Sequence, residues 1–219
     1  MGTMPSEPTV QAIRKGDVDA LARFFTRHRE RLRRMVLFRL HPRLKNRLDP
    51  DDVLQEVYLD AVRRIEHCKG EDEGTVYVWL RLIAQQTLID AHRRHLGAAA
   101  RDAGREVRID EKRARDGISV TIADGLLAQR STPSRKAVRR EEGERLAQAI
   151  EGMEEIDREV IALRHFEDLS NAEVARVLGI EPKAASARYV RALRRLREIL
   201  EQLGIDSTAI PPPRPKRGP

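Results

Sequence analysis

Residues 169–200 predict two helices joined by a tight turn, and this constrains the fold of the C-terminal part of the chain. Ser170 and Glu173, three residues apart, form the sequence of a capping box, which starts a helix. Gly179 predicts the end of that helix, because glycine readily adopts the left-handed backbone found just past a helix end. Pro182 predicts the start of the next helix, where its missing N–H costs nothing. This is the pattern of a helix-turn-helix.

The second of these helices is predicted to have one apolar and one basic face. Counting 100° per residue, the apolar face comprises Ala185, Tyr189, Ala192, Leu193, Leu196 and Leu200. The opposite face comprises Lys183, Ala187, Val190, Arg191 and Arg194, flanked by Ser186, Arg188 and Arg195. Residues 181–200 contain six basic and two acidic side chains, a net charge of +4. Such a face suits DNA phosphates, and the small Ala184 and Ala187 would let the helix lie close in a major groove. A solvated basic helix in a bundle is the alternative interpretation.

Composition favours an all-helical protein with a polyanionic partner. Charged residues make up 35% of the 219-residue chain and aromatic residues 4%, and few stretches alternate as a strand would. The net charge of +7 favours a polyanion as partner, although it could instead serve solubility. Cys68 is the single cysteine, so no internal disulfide can form. We expect a cytoplasmic protein without membrane insertion, with no cofactor and no metal site.

The apolar periodicity predicts two helical domains, residues 8–96 and 134–204. Between them, glycines, mixed charges and weak periodicity predict a flexible linker over residues 97–133, with short order around residues 118–127. Residues 205–219 end in a run of proline, arginine and lysine, which predicts a disordered basic tail.

The N-terminal domain is predicted to contain three main helical segments. The first covers residues 10–40, with a cap at Asp17 for its longer part. The second begins at Asp49 and Pro50, and the third covers about residues 76–95. The side of the second helix opposite its apolar face carries Asp52, Gln55, Glu56, Leu59 and Arg63. Core candidates on the third are Trp79, Leu82, Ile83, Leu88 and Ile89.

Over nearly its whole length, the chain resembles an extracytoplasmic-function sigma factor of the sigma-70 family. In the N-terminal domain the resemblance rests on Asp-Asp-Val-Leu-Gln-Glu-Val at 51–57, Trp-Leu-Arg-Leu-Ile-Ala at 79–84 and Ile-Asp-Ala-His-Arg-Arg at 89–94. In the C-terminal domain it rests on residues 157–160, 163–164, 169–175, 178–180 and 188–193. The short linker, with no full region-three domain, is also typical of this subfamily.

The resemblance implies an all-α protein in which a sigma region two bundle and a sigma region four helix-turn-helix flank the linker. It implies a bacterial specificity subunit that binds core RNA polymerase and promoter DNA, is nucleoid-associated in the holoenzyme and is monomeric when free. An anti-sigma factor is a further partner that many such proteins have. In this interpretation the linker threads toward the active-site and RNA-exit channels of the polymerase.

Three sets of site residues follow from the resemblance. The positions for docking on core polymerase are Asp52, Gln55 and Glu56. The positions for the minus-ten element and the melted strand are Gln85, Gln86, Asp90, Arg93 and Arg94. The positions for the minus-thirty-five element are Arg164, Asn171, Lys183, Ser186, Ala187, Val190 and Arg191. Many relatives have Asn in place of Gln86, Thr-Val in place of Ala184-Ala185, and Lys or Arg in place of Ser186, so promoter sequence does not transfer.

Two other functions compete with the sigma factor hypothesis. A conventional helix-turn-helix regulator would bind DNA without joining the polymerase, and it would need neither the 51–57 nor the 79–84 motif. A nuclease could use Asp49, Asp51, Asp52 and Glu56, but these acids lie at a helix start where capping accounts for them. We therefore expect a protein that is not an enzyme.

Overall fold

The computed structural model describes residues 6–40, 44, 47–101, 108–128 and 136–205, and these are helical apart from short turns and loops. The chain divides into two compact units, Met1–Arg105 and Glu106–Pro219. No strand occurs among the described residues, which confirms the predicted all-α class. In the same ranges, no helix is both long and apolar enough to cross a membrane.

Within the described ranges, the N-terminal unit contains four α-helices and a short 3-10 helix that follows the third of them. Its elements are α1 (Ser6–Arg14), α2 (Val18–Arg39), α3 (Pro50–Arg63), the 3-10 turn Ile65–His67, and α4 (Glu73–Arg101). The two predicted caps are confirmed. The side chain of Asp17 accepts a hydrogen bond from the N–H of Ala20 at 2.9 Å, and that of Asp49 accepts one from Asp51 at 2.8 Å.

Helix α4 begins earlier than the sequence predicts because of a local cap. The Asp72 carboxylate accepts a hydrogen bond from the N–H of Thr75 at 2.7 Å, and the Thr75 hydroxyl accepts one from the N–H of Asp72 at 2.9 Å. These two bonds satisfy backbone donors that a helix start leaves unpaired, so the helix begins at Glu73.

The core of the N-terminal unit lies where α2, α3 and α4 pack together. Helix α4 contributes a buried stripe of Tyr77, Leu80, Arg81, Ala84 and Leu88. The prediction that Leu82 belongs to the core is wrong, since this side chain is 50% exposed. Residues 79–84 carry apolar side chains around most of the helix circumference, so periodicity alone could not select the buried face.

In the part of the chain that the structure describes, the C-terminal unit contains five α-helices. They are α5 (Arg108–Ala128), α6 (Lys136–Glu151), α7 (Glu155–Ile161), which continues into a π-helical turn at Ala162–Phe166, α8 (Asn171–Leu178) and α9 (Pro182–Gln202). The predicted helix-turn-helix is α8, the turn at Gly179 and α9.

Part of the segment 97–133, predicted as a flexible linker, is helical. Helix α5 covers the region around residues 118–127 for which the sequence allowed short order, and it extends to Arg108. It packs along α6, with Ile122, Ala123, Leu126 and Leu127 buried. Gly125, a glycine that favoured the linker interpretation, lies against the Phe166 ring, where a Cβ atom would overlap that ring. Residues 206–219 of the predicted basic tail lie outside the described residues.

Candidate polymerase and nucleic-acid interfaces

Helix α3 turns a polar face away from the core of its unit. Asp52, Gln55 and Glu56 are all exposed, as predicted, and so are Leu59 and Arg63 on the same side. Asp51 has a different role, because its carboxylate lies 2.9 Å from Nη2 of Arg29 and 3.5 Å from Nε of Arg33 on α2. The exposed face thus offers two carboxylates, an amide, a guanidinium and one apolar side chain.

One residue of this face contacts the other predicted site of the N-terminal unit. Nη2 of Arg94, on α4, lies 2.8 Å from Oε2 of Glu56. Both side chains are about half exposed, at 57% and 50%. The sequence shows no signal for this pair, because its members are far apart in the chain and belong to different helices.

The predicted minus-ten residues follow one another along α4. Nη1 of Arg81 donates to Oε1 of Gln85 at 3.1 Å. Arg81 is fully buried, so this hydrogen bond holds the partly buried amide of Gln85 in place. Nε2 of Gln86 donates to the Asp90 carboxylate at 3.2 and 3.3 Å, one helical turn further on. Asp90, Arg93 and Arg94 are exposed. The helix therefore presents amides near its middle and guanidinium groups toward its C-terminal half.

A cavity of about 390 Å³ opens beside the two amides. Its lining residues are Arg64, His67, Trp79, Leu82, Ile83, Gln85, Gln86 and Ile89. Sequence reasoning missed this cavity and assigned its four apolar side chains, Trp79, Leu82, Ile83 and Ile89, to the core. The cavity combines an aromatic ring, aliphatic side chains and two amides, which is the chemistry of a pocket for a planar polar ring.

In the C-terminal unit, the predicted helix-turn-helix geometry is confirmed. The Ser170 hydroxyl accepts from the N–H of Glu173 at 3.3 Å, and the Glu173 carboxylate accepts from the N–H of Ser170 at 2.7 Å. Gly179 has a φ of 63°, in the left-handed region. Pro182 occupies the first turn of α9. The capping box fixes where α8 begins, Gly179 fixes where it ends, and Pro182 marks the start of α9.

Helix α9 buries its predicted apolar face, apart from the half-buried Leu193, and leaves its predicted basic face exposed. Ala185, Tyr189, Ala192, Leu196 and Leu200 are buried. The exposed set comprises Lys183, Ala184, Ser186, Ala187, Val190, Arg191 and Arg194. The orientation of the helix is therefore set by its packing, and the basic face is left to solvent.

One basic residue of α9, Arg188, forms ion pairs within the C-terminal unit. Nη1 of Arg188 donates to Glu154 at 3.0 Å and to Asp157 at 3.1 Å. These hydrogen bonds, the one to Glu154 foremost, raise the pKa of Arg188. Two acids thus oppose this guanidinium, so it contributes less to the basic face than the sequence count of +4 suggests.

The two predicted minus-thirty-five residues outside α9 brace the motif. Nη1 of Arg164 donates to the carbonyl of Leu169 at 2.7 Å, and its guanidinium lies 5.2 Å from the centre of the Tyr189 ring. Nδ2 of Asn171 donates to the carbonyl of Pro182 at 2.8 Å, which joins the start of α8 to the start of α9. The contact of Arg164 holds the segment before α8, and that of Asn171 holds the turn between α8 and α9.

His165 is a half-buried residue that contacts α9. Its Nε2 lies 2.8 Å from the Tyr189 hydroxyl. Burial, and secondarily the nearby charge of Arg164, lower the pKa of His165 to about 4. The imidazole is therefore neutral at physiological pH. Its Nε2 either accepts a hydrogen bond from the Tyr189 hydroxyl or donates one to it, depending on the tautomer.

Two family models match the chain. The Sigma-70 region 2 model matches residues 24–96, and the Sigma-70, region 4 model matches residues 143–196. These segments contain the α3–α4 surfaces and the helix-turn-helix.

Curated relatives that match most of this chain are also sigma factors. The RNA polymerase sigma factor CarQ of Myxococcus xanthus is 29% identical over 205 residues, which cover 90% of this chain and 98% of CarQ. The RNA polymerase sigma-H factor of Pseudomonas aeruginosa is 24% identical, over 89% of this chain and 93% of that protein. The ECF RNA polymerase sigma factor BldN of Streptomyces coelicolor is 25% identical, over 87% of this chain and 64% of BldN.

A solved structure shares the fold. It is that of CnrH in complex with the cytosolic domain of CnrY, with a TM-score of 0.50 and 21% identity over 90% of this chain and 97% of that one. The family models cover the two helical units in the order that the sequence motifs predicted. With relatives that match along almost its entire length, the chain belongs to the extracytoplasmic-function group of the sigma-70 family of RNA polymerase sigma factors.

Proposed function

We propose that this chain binds core RNA polymerase through α3 and directs initiation at promoters that it recognises through a minus-ten and a minus-thirty-five element. The observation that carries the proposal is the distribution of exposed polar surfaces. The polar face of α3, the amides and guanidinium groups of α4 and the basic face of α9 all lie in segments that match sigma regions two and four.

The exposed face of α3 suits a reversible protein interface. Asp52, Gln55 and Glu56 supply charge and hydrogen bonding, and Leu59, 53% exposed, supplies apolar area. Charged groups at a rim speed association and fix its register, while an apolar contact supplies binding energy. A basic partner surface is therefore the expected complement.

The surface of α4 suits a melted strand. The cavity beside Gln85 and Gln86 has room for an unstacked base, with Trp79 available as a stacking platform. Amide groups at its wall can hydrogen-bond the edge of that base, and Arg93 can hold the phosphates that follow. We assign the minus-ten contact to this surface.

The basic face of α9 suits duplex DNA. Its first turns carry small side chains, Ser186 and Ala187, between the cations Lys183, Arg191 and Arg194. A helix with this arrangement can enter a major groove while its long side chains reach phosphates on either side. We assign the minus-thirty-five contact to this helix.

An anti-sigma factor is included among the proposed partners. The support is the structural likeness to CnrH, which was solved in complex with the cytosolic domain of CnrY. A protein that covers the α3 and α9 surfaces would block both proposed activities.

The nuclease hypothesis is not supported by the contacts of its acids. Asp49 caps α3, Asp51 pairs with arginines of α2, and Glu56 pairs with Arg94. Within the described ranges, no group of three or more His, Cys, Asp or Glu side chains is arranged to hold a metal ion. Sigma factors are regulatory subunits and not enzymes, in agreement with the family matches.

The test is transcription in vitro with core polymerase, the purified chain and a pool of genomic DNA fragments. We expect initiation from a defined subset of fragments only when the chain is present. The variant Gln55→Ala plus Glu56→Ala should weaken core binding and leave the binding of duplex promoter DNA by the free chain unchanged. The matched control is Glu7→Ala plus Gln11→Ala, which removes an exposed acid and amide of α1 in the same unit.

Three results would reject the proposal or part of it. DNA binding without core binding would favour the regulator that never joins the polymerase. Equal loss of core binding in the α3 variant and the α1 control would reject the assignment of α3. Absence of initiation from every fragment, with core bound, would reject the promoter-directing role.

A further inference from the structure

Val190 is the most exposed large hydrophobic side chain among the described residues. It is 56% exposed, compared with 53% for Leu59, 50% for Leu82, 40% for Val18 and 39% for Val120. Leu59 and Leu82 already belong to proposed interfaces. A β-branched side chain also lowers helix propensity, so Val190 does not serve the helix itself.

The structure fixes Val190 in this orientation. Tyr189 beside it is buried, and Ala185 and Ala192 are buried on the same face. Arg188, on the other side of Tyr189, is bonded to Asp157 on α7 and to Glu154, the residue just before α7. Rotating α9 to cover Val190 would expose the buried face and break these ion pairs, so the valine remains on the basic face.

The neighbours of Val190 determine which part of DNA it would meet. Ser186 and Ala187 lie one turn before it, and the long cations Arg191 and Arg194 follow it on the same exposed side. The long side chains can reach out to phosphates. Val190 is short and apolar, has no attraction to a phosphate, and reaches only a group that comes close to the helix. The small residues before it allow that approach.

The major groove offers one apolar group for such a contact, the C5-methyl group of thymine. We propose that Val190 contacts a thymine methyl group in the minus-thirty-five element, so that this base pair is read by apolar contact and not by a hydrogen bond. This inference rests on the proposed DNA-binding function of α9. It further defines that function, because it names the base group that one side chain recognises.

The experiment removes the methyl group alone. The full chain is used to select binding sequences from a random duplex pool, and each thymine of the enriched sequence is replaced in turn by deoxyuridine, which keeps every hydrogen-bonding group. Burying one methyl-sized group is worth about 0.8 kcal/mol, which corresponds to about a fourfold change in affinity. We expect one thymine position at which deoxyuridine weakens binding about fourfold.

The variant Val190→Ala links that position to the side chain. It should bind the thymine duplex severalfold more weakly than the wild type and should be nearly insensitive to deoxyuridine at the same position, since neighbouring changes that remove one contact are not additive. An exposed helical site accepts alanine readily, so folding should be retained. The control Val120→Ala changes an exposed valine of α5 in the same unit and should retain the fourfold effect.

The outcomes separate this inference from the proposed function. If no thymine position responds, or if Val190→Ala responds as the wild type does, the methyl contact is rejected while promoter-directed transcription still stands. If no sequence is enriched at all, reading by Val190 is rejected together with sequence-specific binding by α9. A position sensitive to deoxyuridine only when Val190 is present supports the inference.

Discussion

Arg94 and Glu56 form an ion pair, with 2.8 Å between Nη2 and Oε2, although 38 residues separate them in the sequence. The pair joins α4 to α3. Arg94 belongs to the surface that we assign to the minus-ten strand, and Glu56 to the surface that we assign to the polymerase. In the free chain, Glu56 and Arg94 are therefore paired with each other before either contacts polymerase or DNA.

Replacing Glu56 by Gln should strengthen the binding of single-stranded minus-ten DNA by the free chain. The change releases Arg94 from a competing carboxylate, and exposed ion pairs are worth up to about 1 kcal/mol, so the gain should not exceed about fivefold. Fluorescence anisotropy with a labelled oligonucleotide at low and high salt measures it, and salt should reduce the gain. The control Glu7→Gln makes the same charge change on α1. An equal gain in that variant would show that the effect of Glu56→Gln comes from net charge and not from the release of Arg94.

Arg188 and Arg191 should behave differently although both are arginines of α9. Arg191 is exposed on the basic face, so Arg191→Ala should weaken duplex binding and lower the slope of log affinity against log salt by about 0.9, as loss of one phosphate contact does. Arg188 is held by Glu154 and Asp157, so Arg188→Ala should leave this slope nearly unchanged and lower the melting temperature of the chain. Salt titrations and thermal unfolding of both variants check this. A larger slope change for Arg188→Ala would contradict the observed pairing.

Gly125 should be intolerant of even a single methyl group. A Cβ atom there would overlap the Phe166 ring, and such overpacking typically costs about 1–3 kcal/mol, so Gly125→Ala should lower the melting temperature. Gly143 of α6 is the matched control, since a Cβ atom there would have its nearest neighbour at 3.7 Å. Alanine at that helical position should raise stability by about 0.5–1 kcal/mol. Circular dichroism of both variants measures the two effects.

A further comparison tests whether the ring is the cause. Trimming it with Phe166→Leu should make Gly125→Ala less destabilising than it is in the wild-type background. Equal cost in both backgrounds would mean that α5 does not pack against Phe166 as described.

His165 should make the C-terminal unit sensitive to acid. Its pKa in the folded chain is about 4, compared with 6.5 for a free side chain. As pH falls below 6.5, the unfolded chain therefore binds a proton first, and the free energy of unfolding decreases until the folded chain is protonated near pH 4. The difference between these pKa values corresponds to a loss of about 3 kcal/mol over that interval.

Urea unfolding of the wild type and of His165→Gln measures this loss. Gln keeps a hydrogen-bonding group for the Tyr189 hydroxyl but does not titrate, so the variant should lose less stability between pH 6.5 and pH 4. Burial also lowers the pKa of His28 in the N-terminal unit, and this contribution is common to both proteins. Identical pH profiles would show that the pKa of His165 in the folded chain is not lowered by burial.

Family membership and the all-α class followed from short sequence patterns. The Ser170–Glu173 capping box, the glycine after α8 and the prolines at the starts of α3 and α9 act through contacts within a few residues. Because those contacts depend on little beyond their neighbours, the sequence was sufficient to predict them. The same holds for the opposite faces of α9, which are set by a simple periodicity.

Burial of particular side chains on α4 required the tertiary structure. Arg81 is fully buried and Leu82 is half exposed, the reverse of their ordinary preference. Apolar residues surround this part of the helix, so the buried face depends on where α2 and α3 lie against it. The cavity beside Gln85 and Gln86 depends on the same packing.

The sequence by itself determined where most helices start, which family the chain belongs to and which side of α9 is basic. Only the tertiary structure decided that Arg188 binds Glu154 and Asp157, that Glu56 meets Arg94 and that Gly125 lies against Phe166. Helix caps and periodicity are properties of adjacent residues, whereas these partners are 31 or more residues apart, and only packing brings them within contact distance.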